Sequence, residues 1–147
     1  MKRLTYLLAL LTVLAVLVST TEAQPARPKV KTTVAILDLE PKGISEVEIG
    51  AISDRLRYEL FSTGSFEVLE RGKMQEILRE QGFQQTGACN TDDCAVEVGQ
   101  LIGVQKMIAG SASRVGKTYT VILRLIDVRT GRIEHSVAKD YEGDIDK

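Results

Sequence analysis

Thr118-Tyr119-Thr120-Val121-Ile122-Leu123-Arg124-Leu125-Ile126-Asp127-Val128 is the stretch that decides the fold. On a ribbon of period two, Tyr119, Val121, Leu123 and Leu125 fall on one side, and Thr118, Thr120, Ile122, Arg124 and Ile126 on the other. One side is wholly apolar and the other mixed, the pattern of a strand in an antiparallel sheet that is covered on one face and partly wet on the other. Val104 to Ser113 is its partner on the amino-terminal side, joined through Arg114-Val115-Gly116-Lys117, where Gly116 is free to take the positive φ of a tight hairpin. On the other side, Asp127 to Arg132 is a turn with Gly131 at the left-handed position, and Ile133 to Tyr141 returns. These three runs predict a β-meander.

Upstream, Thr33 to Leu39 is a nearly continuous apolar run and reads as a buried strand ending at Asp38, Glu40 and Pro41. Ser45 with Glu48 three residues on forms a capping box, and Ile44 with Ile49 occupies the two positions of a hydrophobic staple. Ile49, Ile52, Leu56 and Leu60 continue as a helical stripe, stopped by Gly64. Phe66 to Leu69 is a short strand, and Lys73 to Gln81 carries Met74, Ile77 and Leu78 at helical spacing before Gly82. Strand, helix, strand in this order implies a parallel pair with a right-handed crossover. Gly82 to Asn90 fits no pattern. Thr91 then caps a third helix, with Asp92 and Asp93 where the dipole favours negative charge and with Cys94, Val98, Leu101 and Ile102 on one face, closed by Gly103. The predicted order is β-α-β-α-α-β-β-β, an α/β sandwich of one mixed sheet that ends in an antiparallel meander, with helices packed against it.

The 147 residues are 44% hydrophobic and 27% charged, enough for one globular domain with its own core and too few for two. The net charge is −1 and no basic run occurs in the mature part, so the footprint of a nucleic-acid binder is missing. Met1-Lys2-Arg3, the apolar Leu4 to Val18 and the small residues of Thr21-Glu22-Ala23 have the form of an export signal, with cleavage expected between Ala23 and Gln24. An uncleaved anchor is the competing reading, but the apolar run falls short of the ~20 residues a spanning helix needs. The expected division is therefore a signal peptide over residues 1–23, an extended linker with two prolines over 24–32, and a single domain over 33–147. No Cys follows the cleavage site, so the exported form is expected to carry no lipid.

Cys89 and Cys94 stand in Cys-Asn-Thr-Asp-Asp-Cys, and an even count in an exported protein argues for a disulfide. A redox pair usually reads C-x-x-C, and zinc would require two further ligands that the lone His135 does not supply. Closing so short a loop is expected to contribute about 1 to 2 kcal/mol. The run Gly110 to Thr118 imitates a phosphate-binding loop, but five residues separate Gly110 and Gly116 where four are required, and a strand follows where a helix must. His135 has no nucleophile pattern beside it, so general-base work is not expected of it. Asp38 and Glu40, at the carboxyl end of the first strand, stand where ligands bind in open α/β sheets, or else simply face water at the turn. No catalytic, cofactor or metal constellation emerges.

Several of these stretches resemble one family. Val34 to Asp38, Phe66 to Arg71 with Met74 to Leu78, the Cys-x4-Cys with Ala95 to Gly99, and Leu123 to Val128 with Thr130-Gly131 resemble the periplasmic domain of the curli-secretion CsgG family, over about Thr33 to Tyr141. The same architecture is similar to the N-terminal domain of TolB and to LpoB, the lipoprotein that activates a penicillin-binding protein. The resemblance implies an exported, non-enzymatic protein of the periplasm, peripheral to the outer membrane at most. It implies work through contacts with envelope partners in secretion or assembly, without a cofactor. An LpoB-like regulator of cell-wall synthesis is the alternative it implies, and either reading leaves room for a homo-oligomer. With no spare alternating hairpins beyond its own sheet, the chain is not expected to build a channel alone.

Overall fold

The computed structural model describes residues 30–83, 89 and 91–143. In chain order these form β1 (Thr32–Ile36), β2 (Glu40–Lys42), α1 (Glu46–Ser62), β3 (Phe66–Val68), α2 (Arg71–Glu80), α3 (Asp92–Ile102), β4 (Lys106–Val115), β5 (Thr118–Asp127) and β6 (Ile133–Glu142). One open mixed sheet runs β3-β1-β4-β5-β6, with β2 also beside β4. β1 pairs in parallel with β3 and β4, and β4, β5 and β6 form the antiparallel meander. The turn between β4 and β5 is Gly116-Lys117, with Gly116 at φ 64°, which a Cβ would strain. The expected architecture is therefore the one found.

One element differs from the sequence reading. The run that begins at Thr32 breaks after Ile36 and resumes as β2, so that Val34–Ile36 lie opposite Lys106–Ile108 and Glu40–Lys42 opposite Ser111–Ser113 of the same β4. Pro41 had marked the end of the strand in the sequence. It fits inside one because β2 pairs with β4 alone, leaving an outer edge where no amide has to donate.

The helix ends follow local chemistry. The Ser45 amide donates to Glu48 Oε2 at 3.0 Å and the Glu48 amide to Ser45 Oγ at 3.3 Å, which completes the capping box. Ile44 and Ile49 meet in one apolar cluster, as the staple requires. Thr91 Oγ1 accepts from the Cys94 amide at 3.2 Å, and Gly103 closes α3 in the left-handed region.

Two apolar layers hold the sheet. On one face Val34, Ile36, Ile108, Leu123 and Leu125 receive Leu56 and Leu60 of α1, while Leu39 and Ala112 receive Ile49 and Ile52. On the other face Ala35, Met107, Ala109 and Ile126 receive Met74 and Leu78 of α2 and Ala95, Val98 and Ile102 of α3. The two sides of β5 separate as the period-two reading expects, Leu123 and Leu125 toward α1 and Ile126 toward α3. α3 comes close because position 99 is a glycine: a Cβ there would lie 2.5 Å from Val128 Cγ2 and 2.8 Å from Met107 Cγ.

Candidate functional site

The residues singled out in the sequence go to structural tasks. Asp38 leaves the end of β1 and is gripped by two guanidinium groups, Arg57 Nη2 from α1 and, at 2.5 Å, Arg71 Nη2 from α2. Arg57 also pairs with Asp54 at 2.7 Å and donates to the Ile36 carbonyl at 3.3 Å. Asp38 thus clamps the strand to one helix on each face, with its charge already met. Glu40 turns instead to Lys42, at 3.3 Å. The crevice beside Asp38 encloses about 330 Å³ among Leu37, Leu39, Ile49, Met74 and Leu78, with Arg71 on its wall.

Cys89 and Cys94 are joined by a disulfide with Cα atoms 5.6 Å apart, fastening Cys89 to the first turn of α3. Among the described residues, no group of three or more His, Cys, Asp or Glu could hold a metal ion. No described helix is long and apolar enough to cross a membrane. Ala23 and Gln24 lie outside the described residues.

The structure also leaves one strand uncovered. β6 is exposed at all ten positions, and among the described residues no helix lies over either face and its outer side is a free edge of the sheet. On the α1 side Val137 stays 47% exposed, and on the other face Ile133, opposite Ile126, stays 46% exposed. Between this strand and α1 opens a groove of about 210 Å³ whose walls are Leu56, Leu60, Phe66, Leu125, His135 and Val137. His135 stands among apolar side chains there. The solvent side of α1 adds Val47, Tyr58 and Phe61, between 62% and 83% exposed.

The edge strand is anchored by charge. Lys106 Nζ, at the start of β4, reaches Asp127 of β5 at 2.8 Å and Glu134 of β6 at 2.6 Å. Asp127 Oδ1 also accepts from the Thr130 amide and hydroxyl, each at 2.7 Å, and so shapes the turn before β6. The hydrogen bond from Lys106 above all, then those from Thr130, hold the Asp127 carboxyl well below the usual range, and the bonds to Asp127 and Glu134 push Lys106 up. Sequence reading missed this triad because its members come from three strands. The signal that could have exposed β6 was its composition: Glu134, Lys139, Asp140 and Glu142 are the charges with which edge strands avoid random pairing.

Residues 15–119 match the family model for the curli production assembly/transport component CsgG. No curated protein matches the chain. Among solved structures, the LpoB C-terminal domain from Salmonella enterica superposes with a TM-score of 0.67 at 17% identity, covering 78% of this chain and 87% of that one. Lipoprotein GNA1162 from Neisseria meningitidis gives 0.63 at 16% identity, over 79% of this chain and 84% of that one. TolB from Acinetobacter baumannii gives 0.51 at 11% identity, over 80% of this chain but 25% of that one. Identities this low speak for the shared fold alone.

Proposed function

Since the chain belongs to the CsgG family, the curli production assembly/transport component, we propose that it is an exported, non-enzymatic envelope protein that acts by protein contacts in outer-membrane secretion or assembly. The observation that carries this is β6: a ten-residue strand that among the described residues is bare on both faces and along its edge, bordered by an apolar groove, while the central strands β1 and β4 are covered. An incoming extended segment would add to the sheet there through backbone hydrogen bonds and place alternate side chains against the groove. Asp38, the residue best placed for chemistry, is spent on two arginines, which supports contact rather than catalysis. The amino-terminal stretch supports export, with cleavage between Ala23 and Gln24, a linker to residue 32 and a single domain from residue 33 in the periplasm.

The test is crosslinking in living cells with tagged full-length protein, followed by identification of what is caught and of the first residue of the recovered chain. Outer-membrane secretion components or fibre subunits, on a chain that begins at Gln24, are the expected result. Capture of a penicillin-binding protein alone would overturn the secretion reading in favour of a regulator of cell-wall synthesis. A chain that begins at Met1 would overturn cleavage.

A further inference from the structure

We propose that the free edge of β6 pairs with the β6 edge of a second copy of this chain, antiparallel and centred on Ala138, to make a symmetric dimer with one continuous sheet. This rests on the reading of β6 as the contact surface and names its occupant.

The register of β6 decides which of its backbone groups are free. Tyr141 lies opposite Tyr119, Lys139 opposite Val121 and Val137 opposite Leu123, and the Gly143 amide donates to the Lys117 carbonyl at 3.0 Å. In an antiparallel ladder the N–H and C=O of one residue point to the same side, and the side alternates along the strand. His135, Val137, Lys139 and Tyr141 therefore turn their backbone toward β5. Ser136, Ala138, Asp140 and Glu142 turn theirs outward. Glu134 falls in the bulge that the register shift at Leu125/Ile126 creates, and it ends the regular edge.

A twofold axis at Ala138 keeps like charges away from the middle of this edge. Ala138 would then face Ala138 of the second copy, and Ser136 would face Asp140, a hydroxyl against a carboxylate, on both sides of the axis. On the neighbouring pairs Val137 meets Lys139 and His135 meets Tyr141. Glu134 meets Glu142 at both fraying ends, the like-charged combination of this register, and at each of them Lys106 Nζ stands 2.6 Å from the Glu134 carboxylate. Directly opposed residues must lie on the same face, so the register can move only by two residues. Moved one way, Lys139 is set against Lys139; moved the other way, Glu134 is set against Asp140 at two places. Opposed like charges are destabilising in a cross-strand pair, and the register centred on Ala138 keeps them at the outermost rungs, where the other two set them inside the ladder or on the axis. Ala138 is also small enough to sit against its own mate at the axis, and the uncovered faces of β6 leave room for a second domain.

The experiment is sedimentation of the exported full chain, disulfide intact, over a wide concentration range, beside Ala138→Pro. The proline removes an amide that points away from β5, so the internal ladder keeps its bonds and the fold should survive, as circular dichroism will show. The wild type is expected to pass from monomer to a species of twice the mass as concentration rises, and the proline variant to stay monomeric throughout. A second pair guards against misfolding of the proline variant. Ala138→Cys should link to itself under oxidising conditions, because a directly opposed strand pair brings its Cα atoms about 5.5 Å apart, within disulfide reach. Ser136→Cys, whose mate is Asp140, should not. A wild type that stays monomeric at every concentration overturns the proposal, as does equal linking at both cysteine positions or a dimer that the proline leaves intact. If the wild type is monomeric and Ala138→Pro nonetheless loses its partners in the cellular crosslinking, the dimer fails while the contact reading of the edge stands.

Discussion

β4 and β6 are both ten-residue strands in the same sheet, one strand apart, yet they live in different media. From Met107 to Ala109 β4 is no more than 8% exposed, with α1 on one face and α3 on the other. β6 is exposed throughout. Both are hydrogen-bonded to β5 along nearly their whole length. The difference is the layer above and below. Backbone pairing gives a strand its shape, but removal of apolar area from water, at about 25 cal/mol per Å², is what makes it a centre of stability. Little of the apolar core depends on the side chains of β6.

The contrast breaks most sharply at Met107. It is fully buried among Ala35, Val98 and Ile126, and Met107→Ala would leave a cavity between β4 and α3. We expect a loss of about 2 to 5 kcal/mol, read as a fall in the urea midpoint at unchanged slope. A loss under about 1 kcal/mol would mean that the two-sided centre is not where stability resides.

Ser53 tests the same centre by a polar route. It is completely buried on α1, and its Oγ accepts from the Leu39 amide at 3.1 Å, at the break between β1 and β2. Ser53→Ala strands that amide in an apolar setting, so a cost of about 1 to 3 kcal/mol is expected from the same unfolding curve. Ser53→Thr, which keeps the oxygen, should recover part of it if the added methyl is accommodated. An alanine variant as stable as wild type would show that the chain break is satisfied by other means.

How much of this contrast the sequence carried depends on the range of the forces involved. The capping box of Ser45 and Glu48, the stripe on α1 and the hairpin at Gly116 were legible because each is settled within a few residues. The Asp38 clamp was not, because Arg57 and Arg71 are 19 and 33 positions away and ordinary surface arginines on the page. The same limit hid β2, whose legitimacy depends on having only one neighbour. Most of all, Ile133 to Tyr141 reads as a strand whether or not a helix lies over it. Periodicity reports which residues share a face, and nothing in it reports whether that face is covered.

The ion triad at the root of β6 sharpens the comparison through pH. Asp127 titrates lower in the folded chain than in the unfolded one, so its stabilising contribution is complete above the unfolded value, about 4, and is lost as pH falls below it. Glu48, lowered chiefly by its side-chain hydrogen bond with Ser45, acts in the same direction. Lys106 is raised, so its contribution is complete below the unfolded value of about 10.4 and is lost as pH rises through the folded one. Unfolding midpoints measured from pH 2 to 6 should therefore slope down toward acid in the wild type. In Asp127→Asn the slope should be shallower, with Glu48 and Glu76, the latter lowered chiefly by its hydrogen bond with Lys73, left to supply the remainder. Equal slopes would mean that the triad adds nothing to the hold on β6.

The smallest effect belongs to Val137, and its smallness is the point. Val137 lies directly across from Leu123, which packs on the core from the same rung of the ladder, yet it remains 47% exposed on the groove wall. Val137→Ala opens no cavity, since water already stands on its outer side, and the expected change in monomer stability is within about 0.5 kcal/mol. Stability should be read at a concentration where the protein is monomeric, because anything that binds only the folded chain raises the apparent value. The same substitution should weaken whatever the strand contacts, since it removes apolar surface that only a partner can cover. If Val137→Ala instead costs the isolated monomer as much as Met107→Ala does, β6 belongs to the core, and the case for a contact surface there is lost.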